Sequence, residues 1–131
     1  DMNFDDLQSE KEYKTMQVYG RSKLANILFT RELAEKLEGK GVTVNCLHPG
    51  FVNTGIGSNN SPTIGRILMT LARPFSRKTD RGAETSIYLC VSPEVENETG
   101  EYFYNCKKEK ISSAARDKEN ATKLWEIRLK K

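Results

Sequence analysis

The sequence is short of histidine and cysteine, and each shortage closes off a class of chemistry. A single histidine, His48, stands with three cysteines, Cys46, Cys90 and Cys106. No CxxC pair occurs, and no spacing suits a zinc or other metal site. An odd cysteine count with wide gaps fits reduced structural thiols in a cytosol-facing domain, not a disulfide framework. Long apolar runs are also missing. "LANILF" is typical, far short of the ~20 residues that cross a bilayer. The acidic, polar start "DMNFDDLQSEKEYK" has no signal-peptide character and no initiator Met, so the chain reads as a stretch from inside something larger. Basic stretches interleaved with aromatics are absent, which argues against nucleic acid as a partner.

What is present suits a globular domain. The 131 residues are 37% hydrophobic and 30% charged, enough apolar content for a core and too much for a disordered chain. The net charge of +3 is unevenly placed: residues 1–18 hold five acids and two bases, residues 107–131 nine bases and four acids. Such a basic end can meet phosphate or an anionic membrane surface, although a solvated helix face explains it more simply.

Along the chain, residues 1–13 read as loop. Residues 14–38 read as one long amphipathic helix, with Leu24, Ile27, Leu28, Leu33, Ala34 and Leu37 forming a core-facing stripe. "EGKG" ends it, Gly39 or Gly41 taking the left-handed conformation. Residues 42–48, "VTVNCLH", read as a strand cut off by Pro49-Gly50. Residues 49–76 read as a Gly/Asn/Ser-rich loop followed by a short apolar segment. Residues 79–91 read as a helix with Thr79 as its N-cap, 100–105 as a second strand, and 114–129 as a terminal helix. Strands alternating with helices predict an α/β fold with a parallel sheet. Two strands cannot make a sheet that buries both faces, so the chain is expected to be half of such a domain.

The stretch "YGRSKLANILFT" carries the candidate chemistry. Tyr19 and Lys23 stand at i and i+4, hence on one helix face. A phenol with an ordinary pKa of about 10 is a poor base near neutral pH, and a neighbouring ammonium favours its ionised form. Such a pair can pass a proton to or from an alcohol or carbonyl oxygen, while the ammonium donates to ribose hydroxyls. Tyr-x-x-x-Lys alone is common by chance. Its position adds weight: it opens a long helix, and the next strand ends in "HPGFVNT". Strand ends are where ligands sit in doubly wound sheets. A Pro-Gly there leaves backbone N–H and C=O groups for a ligand, and Thr54 adds a hydroxyl.

The segment "YGRSKLANILFTRELAEKLEGKGVTVNCLHPGFVNT" resembles the short-chain dehydrogenase/reductase superfamily. "SKLAN", "FTRELA" and "HPG", with "GEYFYNCK" and "ATKLWE" later, resemble its retinol dehydrogenase branch more narrowly. The resemblance runs over essentially the whole chain. It implies the C-terminal half of a Rossmann-like doubly wound parallel sheet, without the N-terminal dinucleotide-binding half. It implies Tyr19 as general acid/base, and Lys23 as the residue that binds the nicotinamide ribose and tunes the tyrosine. Pro49, Gly50, Val52 and Thr54 would line the nicotinamide, and Phe51 with residues 55–76 would form the substrate lid. The implied cofactor is NADP, with NAD left open. The implied reaction is hydride transfer on a retinoid-like or other lipophilic alcohol or carbonyl. A cytoplasmic or cytosol-facing membrane location follows, and the helix over 14–38 is a candidate homodimer face.

Departures from the family pattern limit this. The glycine-rich dinucleotide turn is absent, and "TGIGSNN" follows the wrong strand to supply it. "FDDLQSEKEY" resembles the insert that separates the family's catalytic Ser from its Tyr, so neither Ser9 nor Asn3 inherits a catalytic role. The isolated chain is therefore expected to be nearly inactive. Two alternatives stand beside this reading: a truncated or inactive relative serving as a binding or dimerisation module, and a reductase of the same fold for steroids or small aldehydes.

Overall fold

The computed structural model describes residues 1–50 and 79–129. The longest element is helix α1, Thr15–Lys36. No side chain caps its start at Lys14. Its end is set by Gly39 and Gly41, which both take left-handed backbone, at φ +74° and +69°. Strand β1, Cys46–Leu47, follows, and helix α2 spans Thr79–Val91. Strands β2, Tyr102–Tyr104, and β3, Lys107–Lys108, lead to helices α3, Ser113–Arg116, and α4, Lys118–Leu129.

Among the described residues the sheet has three strands in the order β1-β2-β3. β1 runs parallel to β2, with Cys46 opposite Tyr102 and Leu47 opposite Phe103. β2 and β3 are antiparallel, so the sheet is mixed where the alternation of strands and helices predicts a purely parallel one. The cause is local. Asn105 and Cys106 both adopt left-handed φ, at 51° and 58°, and make a two-residue turn whose twist suits a tight hairpin. The exposed lysines of β3 then blunt that edge of the sheet.

Both predicted strands are trimmed by side chains that replace main-chain partners. The Val44 amide donates to Thr99 Oγ1 (3.0 Å), the Asn45 side-chain amide to the Glu98 carbonyl (2.7 Å), and the Glu101 amide to Asn45 Oδ1 (3.1 Å). Regular pairing therefore begins only at Cys46, and the predicted strand start, Val42-Thr43, is exposed. The predicted terminal helix is likewise split. Asp117 has extended backbone, and its Oδ1 accepts from the Asn120 amide (3.0 Å), so it caps α4 and ends α3. Two smaller corrections concern caps and loops. Helix α2 already includes Thr79, read from the sequence as its N-cap, and the residue before it lies outside the described residues. Residues 1–13, read as loop, contain a 3-10 turn at Phe4–Asp6.

The core lies between α1, α4 and the sheet. Leu28, Ala34, Ala115 and Ala121 are buried there, and Phe103 is buried on the opposite face of the sheet. Of the apolar stripe expected on α1, Leu28 and Ala34 are buried, while Leu24, Ile27, Leu33 and Leu37 are half-buried. Thr30 and Glu32 are buried instead: Glu32 faces α4, where Thr122 donates to its Oε2 (3.2 Å), and Thr30 faces Cys46 of β1. Phe29 stacks on Trp125 across the same contact, centroids 5.4 Å apart. On the other side of the sheet, Phe103 meets Tyr88 of α2 at 6.4 Å, and the Cys106 amide donates to Thr85 Oγ1 (3.2 Å). The sheet thus sits between α1 with α4 and α2, and its pleat decides which residues face α1.

Candidate active site

α1 brings Tyr19 and Lys23 together. Lys23 Nζ lies 5.2 Å from the centroid of the Tyr19 ring, within cation–π range. Both side chains are exposed, Tyr19 at 58%. A ligand can therefore reach the phenol and the ammonium at once. Ser22, between them in sequence, turns back on the helix and donates to the Tyr19 carbonyl (2.7 Å).

Strand pleating places Cys46 and His48 on the sheet face that also carries Tyr102 and Tyr104. Burial pushes the Tyr102 hydroxyl up in pKa, and the negative forms of Cys46, Glu109 and Tyr19 push in the same direction. Burial also raises the Cys46 thiol, with a smaller opposing effect from a hydrogen bond to Thr30 of α1. A protonated, half-buried thiol is a poor nucleophile, so Cys46 acts as a small hydrophobe.

Beyond β1 the chain turns at Pro49-Gly50. The His48 amide donates to the Phe103 carbonyl (3.1 Å), continuing the ladder by one residue. The imidazole stacks on Tyr104, centroids 4.2 Å apart and 5° from parallel, and more loosely on Tyr102 at 5.8 Å. Its Nδ1 accepts from the Gly50 amide (3.1 Å). This corrects one expectation: Pro49 has no N–H and that of Gly50 is taken by His48 Nδ1, so neither residue keeps a backbone N–H for a ligand. Gly50 has φ +78°, a conformation that glycine adopts without a side-chain clash.

Of the sequence-predicted site residues, Tyr19 and Lys23 meet, and Pro49 and Gly50 stand at the end of β1. Phe51, Val52 and Thr54 lie outside the described residues, as does the lid segment over 55–76. The parallel register of "NCLH" beside "GEYFY" sets Cys46, His48, Tyr102 and Tyr104 on one sheet face. Among the described residues no group of three or more His, Cys, Asp or Glu is placed to hold a metal ion. No described helix is long and apolar enough to cross a membrane.

Comparison with known proteins supplies the relationship. The family model described as short chain dehydrogenase matches residues 6–65. Retinol dehydrogenase 14 of Homo sapiens is 52% identical over 129 residues, covering 97% of this chain and 38% of that protein. Retinol dehydrogenase 12 of Mus musculus is 43% identical over 126 residues, 96% of this chain and 39% of that protein. The WW domain-containing oxidoreductase of Gallus gallus is 42% identical over 120 residues, 91% of this chain and 28% of that protein. The chain spans less than two fifths of the length of these relatives. Identity at this level, sustained from one end of the chain to the other, means that it belongs to the short-chain dehydrogenase family, in the retinol dehydrogenase-like branch.

Proposed function

We propose that this chain carries the proton-transfer pair and the nicotinamide-facing strand end of an NADP-dependent oxidoreductase that interconverts a lipophilic, retinoid-like alcohol and its carbonyl compound. The observation that carries the reading is the exposed pair itself, with Lys23 Nζ 5.2 Å from the Tyr19 ring. The short-chain dehydrogenase family uses nicotinamide dinucleotides, and the donor set here fits the ribose end of one. Lys23 offers three N–H donors in the open, and the turn at Pro49-Gly50 adds backbone carbonyls. The bound nicotinamide would supply or accept the hydride at its C4. Tyr19 gives its phenolic proton to the substrate oxygen in reduction and takes it back in oxidation. Lys23 stabilises the phenolate left behind and holds the ribose hydroxyls. Val52 and Thr54 complete the nicotinamide contacts in this reading, and Phe51 with the segment over 55–76 covers the substrate. The lipophilic substrate class rests on the similarity to retinol dehydrogenases 14 and 12.

The same reading makes the chain the C-terminal half of a Rossmann-like doubly wound sheet. Support comes from large apolar side chains left in the open on α1 and α2: Met16 is 79% exposed and Val91 74%. Among the described residues β1 is also paired on one side only. Action in the cytoplasm or at a cytosol-facing membrane surface, where the basic segment over 107–131 would meet anionic lipid, belongs to the same proposal, as does a homodimer formed through α1.

A chimera tests it. Residues 1–131 replace the matching segment of retinol dehydrogenase 14 of Homo sapiens, and retinal reduction with NADPH is followed. Tyr19→Phe should lower kcat by about 10²–10⁴, the usual contribution of a positioned acid/base. Lys23→Ala should raise the KM for NADPH as well. Undiminished kcat in Tyr19→Phe would end the proposal.

A further inference from the structure

We propose that His48 is a positioning residue that sets the Pro49-Gly50 turn, using Nδ1 as an acceptor held in place by the Tyr102 and Tyr104 rings. The inference deepens the reading of that turn as nicotinamide-facing and rests on it for its functional consequence. Three restraints converge on one imidazole. Its backbone N–H is committed to the Phe103 carbonyl (3.1 Å), which fixes the origin of the side chain. Its ring lies nearly flat on Tyr104 (4.2 Å, 5°) and in looser stack with Tyr102 (5.8 Å, 20°), which fixes the ring plane. With the plane fixed, Nδ1 points at the Gly50 amide 3.1 Å away.

A side-chain acceptor at position i that binds the N–H of i+2 is what an Asx turn uses to hold a bend. Here a histidine performs that role with a stiffer ring. An N–H aimed at Nδ1 requires a lone pair there, so the ring proton sits on Nε2. Pro49 contributes a fixed φ and no donor. The direction of the chain as it leaves β1 therefore depends on the one donor, Gly50 N–H, and on the acceptor that receives it. Gly50 at φ +78° stays in that conformation because the bond holds it there, since glycine alone has access to many others. The backbone carbonyls of the turn are thereby held in one arrangement before any ligand arrives, which lowers the ordering cost of binding.

The test uses the 131-residue chain and amide NMR. In wild-type protein the imidazole ¹⁵N shifts should show an unprotonated Nδ1 and a protonated Nε2, and a protonated Nδ1 overturns the proposal without any variant. His48→Phe keeps the stack and removes the acceptor, and Gly50 amide exchange should quicken by about tenfold, the ordinary worth of one such bond. His48→Asn loses the stack but restores an acceptor at i, and should recover most of the protection. Equal Gly50 exchange in wild type and His48→Phe, or no recovery in His48→Asn with the Phe103 amide still protected, overturns it. The NADPH affinity of the chimera then separates the two readings. A tenfold weakening in His48→Phe, reversed in His48→Asn, supports both. Faster Gly50 exchange with unchanged NADPH affinity keeps His48 as the residue that sets the turn and rejects the turn as nicotinamide-facing.

Discussion

Glu32 is a test of how the helix bearing Tyr19 and Lys23 is held. It is 5% exposed in the middle of the contact between α1 and α4. Its carboxylate accepts from the Thr122 hydroxyl at 3.2 Å and pairs with Lys36 Nζ at 2.9 Å, one turn along α1. Lys36 in turn lies 5.2 Å over the ring of Trp125, which stacks on Phe29. A hydrogen bond to a charged acceptor contributes about 1.5–3 kcal/mol, and the rather long 3.2 Å separation argues for about 1.5. The Lys36 pair adds about 0.5 kcal/mol, since the lysine end is 43% exposed and screened by water. Glu32→Ala should therefore destabilise the chain by about 2 kcal/mol, and Thr122→Val by about 1.5. For a domain of this size that first figure lowers Tm by roughly 6–10 °C. Urea unfolding of both single variants and of the double variant gives the check, with an expected coupling of about 1 kcal/mol. A coupling indistinguishable from zero would refute the reasoning, and would leave the Phe29–Trp125 stack and the Lys118–Glu35 ion pair among the contacts holding α1 on α4.

Two further predictions follow from the sheet and its hairpin. Burial raises the Cys46 thiol above its ordinary 9.0 and the Tyr102 hydroxyl above its ordinary 10.0, so both groups hold protons more tightly folded than unfolded. Their contribution is fully present below pH 9.0 and lost as pH rises through the folded values, so Tm should fall above pH 9.0, with the first part of the decline flattened in Cys46→Ala. Thermal melts that stay level past pH 10.0 would contradict this. Cys106 sits at φ 58° in the hairpin turn, where the second residue favours glycine. Cys106→Gly keeps the amide that donates to Thr85 and should stabilise the chain by about 0.5–1 kcal/mol in urea unfolding, and a loss of stability would count against the turn assignment.

The sequence was most legible where local periodicity and local chemistry coincide. The helix read over 14–38 lies at Thr15–Lys36, because a three- and four-residue apolar repeat followed by Gly39 and Gly41 specifies both a face and an end. The strand regions were placed correctly but drawn too long. Nothing in "VTVNCLH" says that Asn45 and Thr99 will take over main-chain hydrogen bonds from the far side of the chain. The break at Asp117 was a local signal, an Asp three residues before Asn120, that a longer apolar pattern outweighed. The hairpin was missed because "NC" is an unusual pair for a turn that normally carries a glycine.

For the candidate site the division is similar. An i, i+4 spacing is a property of the helix itself, so the sequence alone puts Tyr19 beside Lys23. The family relationship, too, was readable from the residues. Only the tertiary structure decides which sheet face meets α1, and that the Gly50 amide is bound to His48 and not left for a ligand. Those facts depend on the register between strands more than fifty residues apart, which is set by side chains that meet only when the chain has folded.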